Sequence, residues 1–123
     1  MLILAAVLMF ATGIAHSWLG ERYILIRLFK RDGLPKIFGS TAFTTGTLRF
    51  VWHLTTLAWW GLAWLILIAA GAAVSRDQVL GVIGVVALVS AAFPLYFTRV
   101  EHLSWLVFLL IGVLVLLARG SSA

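Results

Sequence analysis

Four nearly unbroken apolar stretches, at residues 2–19, 47–73, 78–97 and 102–118, alternate with short polar breaks along the chain. About twenty apolar residues, each adding about 1.5 Å of helix, cross a hydrocarbon core roughly 30 Å thick. The pattern therefore predicts four transmembrane helices. The second stretch also carries a polar stripe. Steps of three and four residues place Arg49, His53, Thr56, Trp60 and Trp64 on one helix face, predicted to point inward, with Trp52 and Trp59 opposite and facing lipid. On the first stretch a face through Ala5, Met9, Thr12, His16 and Gly20 mixes small and polar groups and suits close packing.

The polar breaks set the boundaries. Gly13-Ile14-Ala15 resembles a signal-peptide cleavage site, but no basic n-region precedes it, so the first stretch is expected to be a retained span. Residues 20–46 form the one long connection. Its first part, Glu21 to Arg31, mixes apolar and basic residues and is expected to extend the first helix or lie in the headgroup layer. Asp32-Gly33 and Pro35 end it. Thr44 and Thr45 are candidate N-caps for the second span, and Ser75 or Asp77 for the third. Gly81, Gly84, Ala87, Ala91 and Ala92 let the third span approach a neighbour closely, and Pro94 sits near its end.

Composition sharpens the class. Of 123 residues 63% are hydrophobic and only 11% charged, against about a quarter charged in an ordinary soluble domain. One membrane domain, residues 1–123, accounts for the whole sequence. The absence of cysteine removes disulfides, thiolate metal sites and cysteine nucleophiles. A net charge of +5 points to topology and anionic headgroups rather than nucleic acid. Arg22, Arg27, Lys30, Arg31, Lys36, Arg49 and Arg99 fall on one side of four alternating spans, and only Arg76 and Arg119 on the other. The rule that basic residues stay inside then places loop 20–46 in the cytoplasm and both termini outside. The expected fold is an all-α membrane protein, an antiparallel four-transmembrane-helix bundle with a short basic cytoplasmic loop.

Candidate chemistry gathers at the basic end. His16, His53 and His102 come from three spans at similar depth, with Glu21 and Glu101 nearby and Arg49 and Arg99 able to pair with them. Imidazoles with a carboxylate suit a metal, and one or two imidazoles beside Trp60 and Trp64 suit a haem or pigment. The competing reading is a polar packing cluster with no cofactor, and no local HxH, HxxxH or ExxH motif favours ligation. His16 and His53 are expected to lie close together, with His102 apart. Ser17 beside His16 is no prearranged nucleophile and base, because adjacent residues on a helix diverge by about 100°. Three functions follow in order. The first is a small integral subunit packing against lipids, pigments or other membrane subunits. The second is a metal- or haem-binding membrane oxidoreductase using the three histidines. The third is a homo-oligomeric channel lined by Thr12, Thr55 and Thr56.

Overall fold

The protein, described here as a computed structural model over residues 1–121, consists of four helices: α1 (Leu2–Leu28), α2 (Ala42–Gly71), α3 (Arg76–Phe97) and α4 (Ser104–Gly120). The first three are long and apolar enough to cross a membrane, and α4 is a shorter apolar helix. The Glu21–Arg31 segment takes the first of its two expected forms and continues α1 to Leu28, through a π-helical stretch at Gly20–Leu25.

Close backbone approaches join α1 to α2, α2 to α3 and α3 to α4, and no other pair of these helices among the described residues. The contacts run in opposite directions along each pair: Trp60 reaches Phe10 and Arg49 reaches Glu21, while Leu116 lies against Gly84 and Leu88 against Gly112. The helices thus stand as an antiparallel row. Its fully buried positions are mostly small (Ala6, Ala63, Ala87, Ala91), with Leu25 and Phe50, whereas Leu110, Leu114, Leu117 and many other large apolar side chains face outward. That inversion, with small residues at the seams and large ones outside, suits an apolar solvent. At the α3–α4 seam the two glycines let Leu116 and Leu88 interlock across the helices, since a Cβ at Gly84 or Gly112 would come within 2.6 Å of them.

The ends follow local chemistry. Ser75 caps α3 in a capping box, its hydroxyl accepting from Gln78 N at 3.2 Å while the Gln78 amide oxygen accepts from Ser75 N at 2.9 Å. The expected caps of α2 are corrected. That helix starts at Ala42 after Thr41, and Thr44 and Thr45 lie inside its first turn with their hydroxyls donating to Pro35 O and Ala42 O. Beyond α3, Arg99 and Val100 hold left-handed φ values of 50° and 73° and turn the chain toward α4. His102 therefore precedes α4 rather than opening it.

Candidate functional site

The polar residues of α1 and α2 meet along one seam. On α1, Gly13, Ser17 and Glu21 follow each other at four-residue steps; on α2, Arg49, His53, Thr56 and Trp60 do the same at three and four. Antiparallel packing brings the two series together in register. Arg49 holds the Glu21 carboxylate bidentately, through Nε at 3.0 Å and Nη2 at 2.7 Å, and its guanidinium lies over the Phe29 ring at 5.0 Å. His53 Nε2 stands 3.4 Å from the same carboxylate and its Nδ1 stands 2.9 Å from Ser17 Oγ. Ser17 Oγ in turn meets Thr56 Oγ1 at 2.8 Å, and Thr56 donates to Gly13 O at 3.3 Å. Of the two carboxylates weighed for Arg49, Glu21 is the partner.

Counting hydrogens along this chain decides what it can carry. If His53 bears a proton on both nitrogens, Nε2 donates to Glu21 and Nδ1 to Ser17. Ser17 then donates to Thr56, Thr56 to Gly13 O, and every contact is satisfied. With one ring proton the series is one donor short, and either the Glu21 contact or one hydroxyl bond is lost. The seam is thus a row of hydrogen-bonded polar groups running from the basic end toward the interior.

Two further features hold it in place. Glu21 belongs to the π-helical stretch, a rare geometry that is frequent at functional sites. Gly20 beside it leaves the space that the Trp52 indole occupies, and any Cβ there would overlap that ring. The indole donates to His16 O at 3.1 Å and stacks on the His16 imidazole with ring centres 4.5 Å apart, while Trp59 tilts against the other side at 4.9 Å. Trp52 and Trp59, expected to face lipid, instead clasp His16; the correction arises because α1 packs across both flanks of the α2 stripe. The inward stripe expected on α2 is corrected at its far end: Trp60 donates to Phe10 O at 3.2 Å but is exposed, and Trp64 is exposed one turn further on, beyond the polar contacts of the α1 seam.

The three histidines occupy three separate settings. His16 Nε2 lies 3.0 Å from Thr55 Oγ1, whose own hydrogen goes to Trp52 O, and the ring sits between two tryptophans; His53 lies in the Glu21–Ser17 chain with Phe97 stacked on it at 5.9 Å. His102 sits between Phe43 and Phe50, its Nδ1 accepting from Ser104 N at 3.3 Å. Among the described residues no three His, Asp or Glu side chains converge to hold a metal ion. Glu101 and Arg99 are exposed in the α3–α4 turn and form no ion pair among those residues. Sequence reading singled out Arg49, Glu21 and His53 and weighed Ser17 only as a nucleophile beside His16; the signal for its place in the seam was its four-residue spacing between Gly13 and Glu21.

In comparisons with known proteins, the chain matches no family model, no curated protein and no solved structure.

Proposed function

We propose that the protein is a small multi-pass integral membrane subunit, with four antiparallel spans, that works by packing against other membrane-embedded helices and lipid. The observation that carries this reading is a pair of grooves on opposite faces of the α2–α3 contact. One, of about 600 Å³, is lined by Phe10, Trp60, Trp64, Gly81 and Val85 and ends at Arg119. The other, of about 420 Å³, is lined by Leu54, Ala58, Val86, Ser90, Phe108 and Ile111. Gly61, Val82 and Val86 lie between them and are shared by both. Small residues beside aromatic ones form the surface that transmembrane helices use to approach each other.

Native mass spectrometry of the protein gently released from its own membrane tests this reading. It should show a second integral membrane protein at fixed stoichiometry, lost when Ala58→Trp fills the smaller groove. A monomer, or a closed homo-oligomer indifferent to Ala58→Trp, would overturn it.

Sidedness follows from the seven basic residues at one end against two at the other, which favours a cytoplasmic Glu21–Gly46 segment and outward termini. With no native cysteine to interfere, Ser40→Cys should resist an impermeant thiol reagent in intact cells and Ser121→Cys should react. The opposite labelling would invert the orientation.

A further inference from the structure

At the basic end of the row, a mostly polar cleft of about 350 Å³ opens between the connecting segment, the first turns of α2 and the turn before α4. Phe38 and Phe97 form apolar walls, and Arg49, Arg99 and Glu101 supply the charge. The two threonine hydroxyls around it are committed, Thr45 donating to Ala42 O and Thr98 donating to Pro94 O while accepting from His102 N, and Ser40 Oγ accepts from Ala42 N. Arg99 and Glu101 have no ion-pair partner among the described residues. Arg49 spends Nε and Nη2 on Glu21, and Nη1 has no protein partner there. The cleft therefore presents cationic donors and one carboxylate that do not neutralise each other. Phe38, Arg99 and Val100, all in or beside the cleft, adopt φ values of 55°, 50° and 73°. Left-handed backbone at non-glycine residues is uncommon and concentrates where a site needs it.

We propose that this cleft binds a phosphoethanolamine group, a phosphate diester or monoester with an ammonium two carbons away. Arg99 and the spare edge of Arg49 take the phosphate oxygens, as guanidinium groups do. Glu101 takes the ammonium, and the exposed Phe38 ring beside Phe97 offers the aromatic faces that cations favour. A purely anionic group would leave Glu101 facing like charge, and a purely cationic one would do the same to both arginines. Zwitterionic chemistry satisfies both ends. The group has two sources, a phosphatidylethanolamine headgroup or soluble phosphoethanolamine; only the lipid source rests on the membrane reading above.

Full-length protein in detergent, followed by native mass spectrometry and tryptophan fluorescence melting, tests the proposal. The probes are short-chain phosphatidylethanolamine, short-chain phosphatidylglycerol and phosphoethanolamine itself. Phosphatidylethanolamine should bind in preference to phosphatidylglycerol. Arg99→Asn, which keeps a residue tolerant of positive φ, should weaken it by about tenfold, the loss expected from one charge-assisted hydrogen bond. Glu101→Gln should erase the preference between the two lipids. Binding of soluble phosphoethanolamine with the same sensitivities would assign the site to the free group as well as the lipid. Equal binding of both lipids by the unaltered protein, or a preference untouched by either substitution, would overturn the proposal.

Discussion

The seam between α1 and α2 and the seam between α3 and α4 join helices of similar hydrophobicity by different means. Across the first run a bidentate ion pair, two imidazoles, three hydroxyls and two indole N–H groups, all bonded to the facing helix. Across the second, leucines from each helix fill the space left by a glycine on the other, and a polar link lies at the end, where Arg76 donates to Ala118 O at 3.4 Å. In an apolar solvent neither seam gains from burying more hydrocarbon, because lipid tails are as apolar as leucine. The second seam relies on shape. The first adds directed polar contacts, which fix register but tie the helix pair to the pairing of a few groups. One chain thus contains a seam joined by shape and a seam joined by polar contacts.

Matched substitutions at the two seams should separate these mechanisms. Gly20→Val should have the largest effect, about 3 kcal/mol, since the indole it would strike is rigid and held by the His16 carbonyl. Gly112→Val should cost less, about 1–2 kcal/mol, because the Leu88 side chain in its closest contact can turn aside and the fixed Gly84 carbonyl oxygen lies further off at 3.1 Å. Tryptophan fluorescence melting in detergent reads both. If the two cost the same, the polar seam is no more exacting than the apolar one, and the contrast fails.

The apolar pattern made the four helices legible, because a bilayer-length run needs no tertiary context to be recognised. Boundaries read less well. Thr44 and Thr45 looked like caps, but α2 starts at Ala42, so both lie inside its first turn and their hydroxyls find carbonyls instead. The α2 stripe of the site was visible from helical steps alone, and Arg49 needed a carboxylate wherever it lay. Which carboxylate, and that Ser17 joins it, depended on the register between α1 and α2. A single helix does not encode that register. It is set jointly by Gly20 making room for Trp52 and by the π turn carrying Glu21. His102 was expected to stand apart from His16 and His53, and after the left-handed turn at Arg99 and Val100 it sits against Phe43 and Phe50.

The central claim is that α1 and α2 are held in register through Glu21 and Arg49. The direct measurement is a double-mutant cycle on the purified protein, read by fluorescence melting, with Glu21→Gln, Arg49→Gln and both together. The two side chains are 30% and 31% exposed, so the coupling should fall between that of a surface pair and a buried one, at about 1–2 kcal/mol. The pair Glu101→Gln and Arg49→Gln should be additive. Strict additivity of Glu21→Gln with Arg49→Gln would contradict the account.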